Sequence, residues 1–312
     1  MRAFLFPGQG SQAVGMGAAL AEASRAARDV FGEVDEALGQ NLSRLMREGP
    51  DEELKLTENA QPAIMANSLA VFVALTKEGG VDLRKAANFV AGHSLGEYSA
   101  LCAAGSFDLA TTAKLLKLRG QAMQKAVPVG QGAMAALLGA DLALAQKIAD
   151  AAAQGEVCTV ANDNDPSQVV ISGHKAAIDR AIEIAKEMGA KRAIALPVSA
   201  PFHCPLMKPA AEAMQDALSY VVVDDPAVPV FANVTAQPES DPDTIRNLLV
   251  EQVTGMVRWR ESIGNMFDAG VEEFVELGGK VLGPMVKRIA PDAKVTSVVS
   301  IEDVETLAKE IA

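Results

Sequence analysis

Asn88-Phe89-Val90-Ala91-Gly92-His93-Ser94-Leu95-Gly96-Glu97-Tyr98-Ser99-Ala100-Leu101-Cys102-Ala103-Ala104 runs from an apolar segment through a G-x-S-x-G turn into a helical pattern closed by Gly105. Its first four residues read as a buried strand. Strand, tight turn and helix in that order lift a serine hydroxyl out of the chain as a nucleophile. Gly92 and Gly96 lack Cβ atoms, so the turn can tighten and a substrate carbonyl can come close. A plainer reading competes, because Ser94-Leu95-Gly96-Glu97 also fits a helix capping box, in which Ser94 does no chemistry.

The same alternation of short strands and helices extends on both sides. Ala3-Phe4-Leu5-Phe6 is a strand candidate, and Arg28 to Leu38, Ala60 to Glu78 and Asp108 to Val127 carry helical spacing, the last with Asp108 as N-cap. Such alternation predicts an α/β architecture with a mainly parallel sheet. The rhythm then changes. Strands over 133–138, 157–161, 168–172 and 192–198, with helices over 141–153 and 175–188, give the order β-α-β-β-α-β of a ferredoxin-like unit. Beyond it the α/β pattern resumes with a strand at 228–231, helices at 244–253 and 261–269, and a strand at 273–277 running into Gly278-Gly279.

The chain has 312 residues, enough for one large domain carrying an insertion. No apolar run is long enough to span a membrane, and Pro7 interrupts the N-terminal apolar segment too early for a signal peptide. Three cysteines at unrelated spacings suggest neither disulfides nor a metal site and point to a cytoplasmic location. A net charge of −12 argues against nucleic acid or anionic lipid as partners.

A serine nucleophile needs a base, and the chain has three histidines. His93 adjoins Ser94, and neighbouring side chains on a tight turn diverge. His174 stands at a helix entrance inside the inserted unit. His203 lies in the proline-bracketed loop Val198-Ser199-Ala200-Pro201-Phe202-His203-Cys204-Pro205, where the insertion returns to the main domain, and loops at such junctions often line clefts. A triad acid is harder to find. Asp163 and Asp165 satisfy the order Ser…Asp…His, but Asn162-Asp163-Asn164-Asp165-Pro166 reads better as an Asx-rich turn between strands. Gly8-Gln9-Gly10-Ser11-Gln12-Ala13 satisfies a dinucleotide fingerprint. The acidic residue that fingerprint requires would fall within a helix, so the loop is better placed to offer backbone N–H groups to an oxyanion. Arg119, on the 108–127 helix, is by itself an ordinary exposed arginine. Facing the cleft, its fork would suit a carboxylate.

Together these segments resemble the malonyl-CoA:acyl carrier protein transacylase family over essentially the whole chain. The matching segments are Phe6-Pro7-Gly8-Gln9-Gly10-Ser11-Gln12, Gly92 to Tyr98, Leu118-Arg119-Gly120, Phe202-His203 with Leu206 to Ala210, and Gln252 with Val257-Arg258-Trp259. The resemblance implies an α/β-hydrolase-like core with a short, mainly parallel sheet over 1–127 and 198–312, and a ferredoxin-like subdomain over 128–197. It implies ping-pong acyl transfer with Ser94 as nucleophile and His203 as base, and an oxyanion hole from the N–H groups of Gln9 and Leu95. Arg119 would hold the malonyl carboxylate, a main-chain carbonyl near Gln252 would orient the histidine, and Phe202 would crowd an α-methyl group. Malonyl-CoA is then the substrate and the phosphopantetheine of acyl carrier protein the acceptor, with no tightly bound cofactor or metal, in a monomeric protein. An acidic carrier calls for a cationic patch at the cleft mouth, with Lys191, Arg192, Arg258, Arg260, Lys280, Lys287 and Arg288 as candidates. The rival readings are a serine thioesterase or esterase using water, and a docking module that has lost catalysis.

Overall fold

Ten strands form two sheets in the computed structural model, which describes residues 1–311. In chain order they are β1 (Arg2–Phe6), β2 (Phe89–Gly92), β3 (Gly132–Leu138), β4 (Cys158–Asp165), β5 (Gln168–His174), β6 (Arg192–Ala195), β7 (Val230–Phe231), β8 (Pro238–Glu239), β9 (Glu273–Leu277) and β10 (Lys294–Val298). The larger sheet has the order β10-β9-β1-β2-β7-β8 and is parallel except for the β7–β8 pair. Its centre is β1, where Ala3, Phe4, Leu5 and Phe6 are all buried. A central parallel strand covered by helices on both faces needs such an unbroken apolar run. Phe4 and Phe6 pack into a core with the helix Thr57–Val73. Ala3 and Leu5 face the opposite core, with Trp259, Ile263 and Val286 from the helices Trp259–Asp268 and Leu282–Ile289. Each large side chain fully buried there contributes about 1.5–3 kcal/mol.

The smaller sheet has the order β4-β5-β3-β6, wholly antiparallel, and the helices Leu142–Ala153 and Lys175–Glu187 pack on one face. Strand and helix order together give the ferredoxin-like arrangement. The expected α/β fold, with its mainly parallel sheet and a second, antiparallel one, is the fold observed.

The segment Asn162–Asp165 is not the turn that its composition suggests. β4 continues through it, with register shifts at Val160/Asn162 and Asp163/Asp165, and the turn falls at Pro166-Ser167. Distant partners draw these polar residues into the ladder. Asp163 N–H donates to Val257 O and Val257 N–H to Ala161 O, each at 2.9 Å. The carboxylates of Asp163 and Asp165 meet Arg260 and Arg288, each pair at 2.8 Å. Elsewhere the helix expected over 60–78 starts at Thr57 and finishes in a wider π turn, Ala74–Glu78. β10 and the helix Ile301–Ile311 complete the described chain. No described helix is long and apolar enough to cross a membrane.

Candidate active site

β2 ends at Gly92, the helix Leu95–Ala103 begins at Leu95, and Ser94 between them has φ 54° and ψ −111°. A non-glycine residue in that region is strained by about 1–3 kcal/mol and persists only where its surroundings impose it. Here the flanking glycines make it possible. A Cβ on Gly92 would lie 1.8 Å from Gly96 O, and one on Gly96 would lie 2.2 Å from Phe6 O. Asn233 holds the turn from below, its Oδ1 accepting Ser94 N–H at 2.8 Å and its Nδ2 donating to Gly92 O at 2.7 Å. The capping alternative fails because the Ser94 hydroxyl makes no bond to the helix. Its Oγ meets His203 Nε2 at 2.8 Å.

His203 is buried, and its φ is also 54°. Its Nδ1 lies 2.9 Å from the main-chain oxygen of Gln252. A carbonyl only accepts, so Nδ1 carries the proton and Nε2 is free to accept from Ser94. Burial, then the nearby Arg119 cation, pushes His203 down to about 3, so the imidazole is neutral, with the Nε2 lone pair free to accept. The other two histidines are elsewhere engaged. His93 turns away from Ser94, with Nε2 at 2.8 Å from Asn164 Oδ1, and His174 Nδ1 accepts Val157 N–H at 2.9 Å. Asp163 and Asp165, the candidate triad acids, are bound to Arg260 and Arg288 instead.

Arg119 overturns the expectation of an exposed helical arginine, being 1% exposed. Its Nη1 donates to Gln61 Oε1 at 2.7 Å, and its Nη2 donates to Gln252 Oε1 at 2.9 Å and to Ser94 Oγ at 3.1 Å. The guanidinium also lies 5.7 Å from the centre of the Tyr98 ring. Among the described residues no carboxylate forms an ion pair with it, and the guanidinium beside the serine rests on the neutral amides of Gln61 and Gln252. A cavity of about 320 Å³ opens over this group, and Gln9, Leu95, Arg119, Phe202 and His203 all line it. Met134 and Asn162 reach it from the smaller sheet, with Leu196 to Val198 following β6.

Three buried residues at this site escape a reading by motif. Gln61 ties Arg119 to the glycine loop, since its Nε2 donates to Thr57 Oγ1, which donates to Gln9 Oε1, each at 3.0 Å. Asn233 supports the elbow as described above. Glu97, which the sequence offers as a capping-box residue inside the nucleophile motif but with no role of its own, is 3% exposed and accepts at Oε2 from Asn233 N–H at 3.0 Å and from Gln252 Nε2 at 2.8 Å. Polar side chains inside the otherwise apolar Thr57–Val73 helix were the one local hint, and it points to Gln61. The expected cationic patch is thinner than its composition suggests. Arg258, Arg260 and Arg288 are ion-paired with Glu261, Asp163 and Asp165, and Lys287 donates to the Pro291 and Ala293 carbonyls.

A strained serine elbow, a neutral histidine and a buried arginine around one cleft mark the chemistry of acyl transfer through serine. Residues 3–282 match the family model described as "Acyl transferase domain", and the chain belongs to that family. Within it, the chain belongs with the malonyl-CoA:acyl carrier protein transacylases. It is 47% identical to the malonyl CoA-acyl carrier protein transacylase of Escherichia coli K12, over 92% of each chain. The crystal structure of an acyl-carrier-protein S-malonyltransferase from Bartonella henselae is 51% identical and superposes with a TM-score of 0.97 over 99% of both chains. A malonyl-transacylase solved in complex with its type II polyketide acyl-carrier protein is 40% identical, with a TM-score of 0.95 over 99% of both chains.

Proposed function

We propose that this protein moves a malonyl group from malonyl-CoA to the phosphopantetheine thiol of acyl carrier protein for fatty acid synthesis, through a malonyl-Ser94 intermediate. The observation that carries the reading is the contact of Ser94 Oγ with both His203 Nε2 and Arg119 Nη2 in one cavity. His203 takes the hydroxyl proton as Oγ bonds to the thioester carbon, then returns it to the departing CoA sulfur. The oxyanion faces the N–H groups of Gln9 and Leu95, each such donor being worth about 3 kcal/mol. Leu95 is the first residue of its helix, so its N–H has no intrahelical partner. Arg119 takes the malonyl carboxylate, and the Gln252 carbonyl keeps the imidazole in the correct tautomer. Phe202, nearly buried on the cavity wall, limits the space for an α-methyl group.

In this reading residues 1–127 and 198–312 form the catalytic subdomain, and 128–197 form a lid-like wall of the cleft. The partners are a CoA thioester and an acyl carrier protein, with no nucleic acid or membrane. The protein works as a monomer in the cytoplasm and needs no tightly bound cofactor. The buried, unpaired Arg119 favours acyl transfer of a dicarboxylic group over simple ester hydrolysis. Intact-protein mass spectrometry after brief exposure to malonyl-CoA tests the proposal. One malonyl adduct is expected, absent in Ser94→Ala and discharged by holo acyl carrier protein. CoA release without a carrier would support a hydrolase, and no adduct would end the reading.

A further inference from the structure

A serine–histidine pair usually has a carboxylate on the far side of the imidazole, where it orients the ring and stabilises the imidazolium. In this site a neutral carbonyl stands there. Four carboxylates are buried among the described residues: Glu97, Asp163, Asp165 and Glu276. Asp163 and Asp165 belong to their arginines, and Glu276 accepts the N–H groups of Val281, Leu282 and Gly283. Only Glu97 touches the machinery around Ser94. Among the described residues it has no ion pair, and both its partners are themselves in contact with the reacting residues. Gln252 accepts from His203 at its main-chain oxygen and from Arg119 at Oε1, while Asn233 accepts from Ser94 N–H.

A carboxylate can only accept, so it decides which end of the Gln252 amide faces it. With Nε2 held at Glu97, Oε1 is directed at Arg119. The same Nε2 lies 3.0 Å from Ser94 O, stitching the helix Pro242–Thr254 to the elbow. We propose that Glu97 is the positioning residue that takes the role of the missing triad acid, acting through Gln252 rather than by direct contact with His203. During acylation the proton passes from Ser94 Oγ to His203 Nε2, the Oγ–carbon bond forms and the carbonyl π pair moves to oxygen. Glu97 exchanges neither proton nor electrons. Its negative charge favours the imidazolium, and its two hydrogen bonds fix the amide on which His203 and Arg119 both rest.

The neighbouring ionisable groups are Arg119 on the helix Leu109–Ala126, Tyr98 on Glu97's own helix, and His203 across Gln252. Asn233 and Gln252, from the other two elements in contact, carry no charge. Burial pushes Glu97 up to about 7 against the opposing pull of Asn233, Gln252 and Arg119, whereas His203 is held far lower. The two groups therefore titrate in separate ranges, and an acid limb near neutrality is the signature of Glu97.

The test builds on the acyl-transfer reading and measures the rate of malonyl-Ser94 formation by rapid quench and intact mass, from about pH 5.5 to about pH 8.5. The native rate should rise through about pH 7, and Glu97→Gln should be nearly flat, matching the native protein at the acid end and about tenfold slower at the alkaline end. Glu97→Asp, which keeps the charge, should retain the limb with a lower plateau and serves if Glu97→Gln does not fold. A native-shaped profile in Glu97→Gln, or loss of the limb in Glu97→Asp, would overturn the proposal. A constant loss at every pH would do the same, since it would mark a structural role only. Failure of the native protein to form any adduct would overturn the acyl-transfer reading and this inference with it.

Discussion

Keeping Glu97 ionised inside the protein opposes folding at the pH where the site is to work, and the size of that penalty can be worked out. Burial raises its folded pKa from 4.5 to about 7. A raised carboxylate pKa contributes stability that is complete below the unfolded value and is lost as pH rises through the folded one. At 1.36 kcal/mol per unit, the loss between about pH 4.5 and about pH 7 amounts to about 3 kcal/mol. Glu97→Gln retains an oxygen for Asn233 and Gln252 but carries no charge to desolvate. Its stability relative to the native protein should therefore climb by about 3 kcal/mol across this window, equivalent to roughly 6 °C in Tm for a chain of this size. His203 titrates in both proteins and with the opposite sign. Its depressed pKa adds stability as pH rises from about 3 to 6.5, so only the difference between the two proteins isolates Glu97. Thermal unfolding of both, in matched buffers from about pH 5 to about pH 8, makes the measurement. A difference in Tm that stays constant with pH would refute the reasoning.

Arg119→Ala removes the buried cation that contacts Ser94 Oγ. It should lower kcat/KM for malonyl-CoA by about 3–4 kcal/mol, or roughly 10²–10³-fold, while acetyl loading rises relative to malonyl in a mixed-substrate mass assay. Phe202→Ala should narrow discrimination against methylmalonyl-CoA by about 1–3 kcal/mol, read as the ratio of the two kcat/KM values. The Arg260–Asp163 pair should be asymmetric, because Arg260 is 37% exposed and Asp163 only 1%. Arg260→Ala strands a buried carboxylate and should cost about 3 kcal/mol at about pH 8, and less in acid. Asp163→Asn leaves an arginine that water can solvate and should cost under about 1 kcal/mol, both values being read by chemical unfolding.

Features decided by local chemistry were legible in the sequence, and those decided by distant partners were not. The elbow at Ser94 is a contiguous strand, turn and helix, so its motif carries its geometry. His203 emerged because the chain offers few histidines and only one lies in a junction loop. The ferredoxin-like unit follows from the order of its elements. Arg119 reads as solvated because nothing within its own helix buries it; the groups that do, Gln61 and Gln252, lie 58 and 133 residues away. Asn162 to Asp165 read as a turn for the same reason, since Val257, Arg260 and Arg288 keep those residues extended. Glu97 presented a helix-capping pattern, and only the fold shows that its carboxylate points inward at Asn233 and Gln252.

The closeness of Arg119 to Ser94 acts as a latch. Its Nη2 lies 3.1 Å from Ser94 Oγ, the oxygen that His203 would deprotonate in the proposed reaction, and His203 lies 2.8 Å beyond. A unit charge no more than about 6 Å from an imidazole, at an effective dielectric of about 20, is worth about 3 kcal/mol, or about two pK units. While the cavity is empty, that charge weakens the base. In the proposed reaction, an acyl group that brings its own carboxylate to Arg119 would offset the charge and restore the base at the moment it is needed. The cargo thus carries the key. Under the proposed roles, an uncharged acyl group would lose on rate as well as on affinity, and an idle site would be a poor catalyst for wasting other thioesters.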